Sequence, residues 1–204
     1  MTKASATRFT GRLLLALGAV VALTVPGTAA GAAERTPHTG DELGGDGCVV
    51  AYFDLGETLV HTADDGSMQY MPGAAEHLRA LRARHIPVGL ITNVPSSWGT
   101  TDAERAAQLK KVVDKGWKDS RPFAWSDFDD RILTPRTEAE RKPAPVLWKR
   151  AKEVAGGCRV VYQGESAEEV RVSGTLGYVA YQVGRPLRPA YLPAGLIAAL
   201  AHLP

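Results

Sequence analysis

The chain has 204 residues, of which 24 are Lys or Arg and 22 are Asp or Glu, so its formal net charge is +2. Apolar residues make up 45% of it and no repeat is visible, which excludes collagen-like, low-complexity and coiled-coil chains. Residues 1–32 contain three basic residues and no acidic one, so the remainder carries a net charge of −1. Proteins that bind nucleic acid cluster Lys and Arg on one face. Because the net charge of the remainder is so close to zero, we expect no nucleic-acid partner.

Residues 1–32 have the features of a Sec-type signal peptide. Three basic residues precede the apolar stretch Leu13–Val25, and Ala30-x-Ala32 matches a cleavage site. That stretch is shorter than the roughly 20 residues that span a bilayer, so we expect cleavage, export and no stable membrane insertion; an uncleaved anchor is the alternative. Residues 33–47 predict a flexible lead-in. Residues 48–204 are then long enough for one domain with its own core.

After residue 47, strand-like and helix-like segments alternate, which is typical of a parallel sheet covered by helices. Short segments dense in Val, Ile, Leu and Tyr predict strands that are buried on both faces. The fold class predicted is α/β: a three-layer α/β/α Rossmann-like sandwich with a parallel sheet of about five strands. The predicted strands are Val49–Phe53, Val88–Ile91, Arg131–Leu133, Val160–Tyr162 and Tyr178–Tyr181.

Capping signals and apolar periodicity predict five helices. The first follows Pro72, the second runs from the capping box Thr101-x-x-Glu104 to about Gly116, the third runs from Pro143 or Pro145 to Gly156-Gly157, and the last two cover Ser166–Thr175 and Ala194–His202. The segment Leu59–Tyr70 contains the turn signal Asp65-Gly66. It predicts a small hairpin, which we call the flap, beside the end of the first strand.

Polar side chains follow the predicted strands at the sheet edge where open parallel sheets bind ligands. They comprise a carboxylate, a hydroxyl, a cation and a second acidic cluster, which are the parts that phosphoryl transfer needs. Mg²⁺ prefers oxygen ligands and keeps several waters, so two or three carboxylates suffice to bind it. The residues are Asp54 after the first strand, Thr92 and Asn93 after the second, Lys142 before the third helix, and Glu165 and Glu169 after the fourth strand.

In order and spacing, four segments resemble the motifs of the haloacid dehalogenase-like hydrolase superfamily. They are Phe53–Leu59, Val88–Asn93, Arg141–Pro145 and Gly164–Glu169. The resemblance extends over nearly all of residues 49–203. It implies an Mg²⁺-dependent phosphatase that hydrolyses a phosphomonoester.

The resemblance also implies a role for each residue. Asp54 would attack phosphorus and form an aspartyl-phosphate, which water then hydrolyses. Thr92, with the backbone of Asn93, would hold a phosphoryl oxygen, and Lys142 would neutralise charge between Asp54 and the phosphate. The implied Mg²⁺ ligands are Asp54, the carbonyl oxygen of Gly56, Glu165 and, directly or through water, Glu169.

Two positions depart from the pattern of the superfamily. Gly56 stands where most of its phosphatases have a second Asp, the general acid and base, and Glu57 and His61 are nearby candidates to replace it. Glu165 replaces the usual Asp but keeps the carboxylate. Because Gly56 lacks the acid, a non-catalytic binding module is the main alternative function. A dehalogenase, which also lacks the second Asp, is another.

The chain between Thr58 and Lys142 leaves no room for a sizeable cap domain. The resemblance to capless members of the superfamily implies an open site, which acts on a large substrate or recruits a partner protein. A small phosphate ester is the alternative substrate. Trp98 follows the Thr92 strand and is a candidate to contact a substrate ring or sugar. Four other aromatics are expected to pack a loop onto the body: Trp117, Phe123, Trp125 and Phe128.

The five histidines show no spacing typical of metal ligands, so we interpret them as surface residues and expect no zinc site. Two cysteines in an exported chain favour a disulfide. In the sheet order that the resemblance implies, the first and fourth strands are neighbours about 4.8 Å apart, which predicts a Cys48–Cys158 bridge. Cys48 precedes Asp54 by six residues and Cys158 precedes Glu165 by seven, so thiols on opposite faces are the alternative.

Overall fold

The computed structural model describes residues 47–203; the predicted signal peptide and nearly all of the lead-in lie outside the described residues. The strands are β1 (Val49–Phe53), β2 (Val60–Thr62), β3 (Met68–Tyr70), β4 (Val88–Ile91), β5 (Ile132–Leu133), β6 (Arg159–Gly164) and β7 (Val179–Gln182). Five of them form a parallel sheet in the order β5-β4-β1-β6-β7, and β2 pairs with β3 in an antiparallel hairpin. The α/β fold, the five-stranded parallel sheet and the flap are therefore confirmed.

The helices are α1 (Ala74–Arg82), α2 (Asp102–Gly116), α3 (Val146–Val154), α4 (Ala167–Thr175) and α5 (Ala194–Leu200). The predicted capping box is present, because Thr101 Oγ1 accepts the Glu104 N–H at 3.1 Å and the Glu104 carboxylate accepts the Thr101 N–H at 3.0 Å. Helix α5 ends two residues earlier than predicted, since Ala201 and His202 lie in a turn. Within residues 47–203, no helix is long and apolar enough to cross a membrane.

The two faces of β1 belong to two separate apolar layers, which produces the three-layer arrangement. Val49, Ala51 and Phe53 pack with buried residues of α1, α2 and α5. Val50 and Tyr52 belong to the other layer, with buried residues of α3 and part of α4. Alternate residues of one strand point to opposite faces, so this strand holds both layers together.

The register between β1 and β6 joins the two cysteines. Strand β6 is longer at both ends than predicted, and it pairs with β1 so that Val49 lies opposite Arg159. Cys48 and Cys158 precede these residues and form a disulfide with a Cα–Cα distance of 4.7 Å. The predicted bridge is therefore confirmed. The same register places Phe53 opposite Gln163. Asp54 follows Phe53 directly, whereas Glu165 is two residues beyond Gln163. This difference accounts for the unequal spacing between each cysteine and its acidic residue.

Aromatic side chains attach the loop that follows α2 to the flap. Phe123 stacks on Tyr70 with the ring centroids 5.3 Å apart, and its other neighbours include Phe128 at 5.7 Å. Trp117 meets the Tyr70 ring edge to face at 4.9 Å, and Trp125 lies 4.4 Å from Phe123. These four loop aromatics pack onto the body as predicted.

Among the four histidines of residues 47–203, one differs from the sequence expectation, and His38 lies outside the described residues. His77 is buried, because it lies on the same face of α1 as Ala74, Leu78 and Leu81. Its ring stacks on Tyr191 at 4.8 Å, and its Nε2 lies 3.2 Å from the side-chain nitrogen of Gln163. The prediction of a surface histidine is wrong here, since the position on the helix outweighs the polarity of the side chain. Burial lowers the pKa of His77 to about 4.

The buried His77 predicts a loss of stability in acid. The unfolded chain binds a proton with a pKa near the ordinary value of 6.5, whereas the folded chain binds it only near 4. The unfolded state therefore carries more protons between these values, and stability falls as the pH drops through that window, by roughly 3 kcal/mol in total. Denaturant unfolding of wild type and His77→Phe across this pH range measures how the free energy of unfolding of each protein depends on pH. A pH dependence that is the same in both proteins would contradict this interpretation.

Candidate active site

The predicted site residues meet in one cleft of about 500 Å³ at the carboxyl edge of the sheet. Asp54, Thr92 and Glu165 follow the neighbouring strands β1, β4 and β6, so the parallel topology alone brings them together. Lys142 comes from the loop before α3 and Glu169 from the first turn of α4. The residues that line the cleft include Asp54, Gly56, Thr92, Asn93, Trp98, Lys142, Glu165 and Glu169.

A buried ion-pair network surrounds the Lys142 ammonium group. Its Nζ lies 2.8 Å from Asp54 Oδ1 and 2.7 Å from Glu169 Oε2, and its side chain is only 1% exposed. A buried lysine needs such compensation, because an isolated charge is costly away from water. One ammonium group thus neutralises part of the charge of two carboxylates.

Tyr162 belongs to this network but was not predicted from the sequence. Its hydroxyl donates to Glu169 Oε2 at 2.6 Å and accepts from Lys142 Nζ at 3.3 Å. Burial and the neighbouring carboxylates raise the pKa of Tyr162 well above its ordinary value, so the hydroxyl stays protonated. Gly164 leaves room for this side chain, since a Cβ there would lie 3.0 Å from the hydroxyl oxygen. In the sequence, Tyr162 resembles any other aromatic residue of a buried strand.

Asn93 fixes the backbone of Lys142. Its Nδ2 donates to the Lys142 carbonyl at 3.1 Å, and its Oδ1 accepts the Lys142 N–H at 2.8 Å. This pair of bonds ties the end of β4 to the loop before α3. The neighbouring Thr92 is buried, and its N–H donates to the carbonyl of Leu133 at 3.1 Å.

A tight turn after β1 holds the carboxylate of Asp54. The Leu55 N–H donates to Asp54 Oδ1 at 2.7 Å, and the Leu55 carbonyl accepts the N–H groups of Leu59 and Val60 at 2.9 Å. Gly56 is exposed in this turn, and a Cβ built there would meet no atom within 4 Å. A side chain at this position would therefore fit, although the sequence has none.

Glu57 and His61 form a pair on the flap side of the turn. Glu57 has a φ of 49°, a left-handed conformation that is uncommon for residues other than glycine. Its Oε2 lies 3.0 Å from His61 Nδ1, and its Oε1 accepts the Thr62 N–H at 3.2 Å. The hydrogen bond with His61 lowers the pKa of Glu57. Of the two, Glu57 lines the cleft.

Glu165 is held by Thr58 from across the sheet edge. The Thr58 hydroxyl donates to Glu165 Oε2 at 3.0 Å, and Thr58 Oγ1 accepts the Glu165 N–H at 3.2 Å. Burial, followed by the negative charge of Asp54, raises the pKa of Glu165. Glu165 thus adds a carboxylate to the cleft that also contains the ion pairs of Lys142 with Asp54 and Glu169.

The donor set is chemically suited to Mg²⁺. Within residues 47–203, no group of three or more His, Cys, Asp or Glu side chains is arranged to hold a metal ion, and Glu169 contacts Lys142 and Tyr162 instead. Asp54 and Glu165 nevertheless offer carboxylate oxygens in the same cleft. Mg²⁺ usually binds through one or two carboxylates and keeps several waters, so these residues fit the ion without a third carboxylate.

No protein-family model matches the chain, and no curated protein matches it. Among solved structures, the chain is similar to a "putative had-like phosphatase" from Mesorhizobium loti, with 16% sequence identity and a TM-score of 0.49. The likeness covers 76% of this chain and 87% of that one. Because both the identity and the TM-score are low, the function proposed below rests on the residues of this chain.

Proposed function

We propose that the protein is an exported, Mg²⁺-dependent phosphatase that hydrolyses a phosphomonoester through an aspartyl-phosphate on Asp54. The observation that carries this proposal is the environment of Asp54, whose carboxylate lies at the edge of a parallel sheet beside Lys142 and lines the cleft. The Cys48–Cys158 disulfide supports export, because disulfides persist in oxidising compartments. The family resemblance of the four motifs supports the same chemistry.

Asp54 Oδ2 attacks phosphorus in the first step. Lys142 Nζ and the Leu55 N–H both contact Oδ1 of this carboxylate. We therefore assign the attack to the other carboxylate oxygen, Oδ2. The new bond joins Oδ2 to phosphorus, and the bond between phosphorus and the ester oxygen breaks. Water then attacks phosphorus and the bond between phosphorus and Oδ2 breaks, so that inorganic phosphate leaves with the protons of the water and the carboxylate is restored. Lys142 and the Thr92 hydroxyl stabilise the charge on the phosphoryl oxygens.

The proposed Mg²⁺ ligands are Asp54, the carbonyl of Gly56 and Glu165, with Glu169 assisting directly or through water. When bound, the ion neutralises charge on the phosphoryl group. Glu169 has a second task in this arrangement, since it accepts from Lys142 and Tyr162 and thereby orients the ammonium group.

Phosphate release from an aryl phosphate, measured with and without Mg²⁺, tests the proposal. We expect turnover that depends on Mg²⁺ and stops when a chelator is added. Absence of phosphate release together with absence of Mg²⁺ binding in calorimetry would contradict the proposal. That result would favour a non-catalytic binding module. The observation that supports this alternative is Gly56, which stands where a phosphatase would have its general acid. Halide release from a haloacid without metal would instead indicate a dehalogenase.

We assign the proton for the leaving group to the pair Glu57 and His61, in which Glu57 lines the cleft and His61 hydrogen-bonds to its carboxylate. The variant His61→Gln should then lower kcat by about 10²-fold or more for an alkyl phosphate, whose leaving group needs a proton. Nitrophenyl phosphate should be hydrolysed at nearly the wild-type rate, since its leaving group departs without one. The steady-state kcat for the two esters measures this difference.

Gly56→Asp in the His61→Gln background provides the control. The position has room for a side chain, so the new carboxyl group should restore part of the lost alkyl phosphatase activity. If His61→Gln slows both esters equally, the pair Glu57 and His61 does not supply the proton.

A further inference from the structure

The cleft around Asp54 has a polar part and an apolar part. The polar part consists of residues that follow the strands of the sheet, as described above. The apolar part comes from the turn after β1, the flap, the short turn Ser96–Trp98 and helix α2. Its side chains are Val60, Met68, Trp98, Leu109, Val112 and Val113.

The flap and α2 are fixed against each other. The backbone N–H of Lys118, just beyond α2, donates to the Met68 carbonyl at 2.8 Å. A Cβ at Gly116 would lie only 2.9 Å from the carbonyl oxygen of Gly66, so the turn of the flap rests directly on the helix end. The apolar part is therefore a fixed surface of the site.

The turn that carries Trp98 is also anchored. The carbonyl of Gly99 accepts from Arg105 Nη1 at 2.8 Å, and Arg105 Nε donates to Thr134 Oγ1 at 2.9 Å. Arg105 is almost completely buried, whereas Trp98 is half-buried. Trp98 therefore lines the cleft from an anchored turn, so its ring can contact a substrate ring at low conformational cost.

The charges that line the cleft limit what the substrate can carry besides its phosphate. Among the lining residues, Lys142 is the cation, and it already pairs with Asp54 and Glu169. Glu57 and Glu165 add two further carboxylates. A second anionic group on the substrate would meet repulsion without a compensating cation, whereas an uncharged apolar group would be buried favourably.

We propose that the site is selective for phosphate esters of uncharged aromatic alcohols, with the phosphate beside Asp54 and the ring against Trp98 and Met68. This inference rests on the proposed phosphatase function. A cleft of about 500 Å³ suits a leaving group of one or two rings.

Two comparisons of kinetics test the selectivity. First, kcat/KM for phenyl phosphate should exceed that for carboxyphenyl phosphate by about tenfold or more, because only the second carries an extra negative charge. Second, Trp98→Ala should raise KM for naphthyl phosphate by about tenfold, and should raise KM for glycerol phosphate by a much smaller factor. Calorimetric binding of naphthylmethylphosphonate, which cannot be hydrolysed, supplies a readout that is independent of turnover.

The outcomes separate this inference from the proposed function. If all esters are hydrolysed equally well and Trp98→Ala affects them equally, the selectivity is overturned while the phosphatase stands. If no ester is hydrolysed but the phosphonate binds and Trp98→Ala weakens it, the phosphatase function fails and the aromatic subsite stands. If the phosphonate does not bind and no aryl ester is hydrolysed, both are wrong.

Discussion

Replacing Asp54 with Asn is expected to reduce phosphate release by at least about 10³-fold, as for other enzymes that lose their nucleophile. The amide has nearly the same shape as the carboxylate but is a poor nucleophile. Lys142 keeps its ion pair with Glu169, so the buried ammonium group stays compensated and the variant should fold. The rate of phosphate release from an aryl phosphate at saturating Mg²⁺ measures the effect.

Asp64→Asn is the matched control, because Asp64 is an exposed residue of the flap and undergoes the same chemical change. We expect wild-type activity from it. Circular dichroism should show the same folded state for wild type and both variants. Activity of Asp54→Asn within about tenfold of wild type, after removal of any contaminating phosphatase, would mean that Asp54 is not the nucleophile.

Loss of the disulfide should produce the largest change in stability. The bridge joins residues 110 apart in sequence, and the chain-entropy model gives about 4 to 5 kcal/mol for a loop of this length. Cys48 is exposed and Cys158 is half-buried, so replacing both with Ala removes little packing. The free energy of unfolding of the double Ala variant, measured in denaturant, should therefore fall by roughly that amount.

The activity of the double Ala variant provides the internal check. The bridge precedes β1 and β6, at the opposite end of these strands from Asp54 and Glu165. Below its unfolding temperature the variant should keep wild-type kcat and KM. A loss of stability under about 1 kcal/mol would show that the bridge does not constrain the unfolded chain as the entropy model requires.

Local signals in the sequence predicted the elements of the fold well. The capping box at Thr101 and Glu104 marks the start of α2 because both hydrogen bonds are made within four residues. Strand β6 was predicted too short because its full length depends on pairing with both β1 and β7. Pairing is a property of the sheet, and the composition of the segment alone does not show it.

The site was predicted where strand order brings residues together, and missed where a contact depends on side-chain packing. Asp54 and Thr92 each follow a strand, so the topology places them. Tyr162 contacts Lys142 across 20 residues of chain, and no local pattern distinguishes it from a core aromatic. Asn93 was expected to act through its backbone, yet its side chain makes the two bonds that fix Lys142.

Trapping of the phosphoryl group on Asp54 tests the central claim most directly. The wild-type protein is mixed with an aryl phosphate and Mg²⁺, quenched in acid during turnover and treated with borohydride, which reduces an acyl phosphate to an alcohol. Peptide mass spectrometry should then find homoserine at position 54, and Asp64 unchanged. If turnover proceeds while position 54 remains aspartate and another residue carries the phosphoryl group, Asp54 is not the nucleophile and the proposed mechanism is wrong.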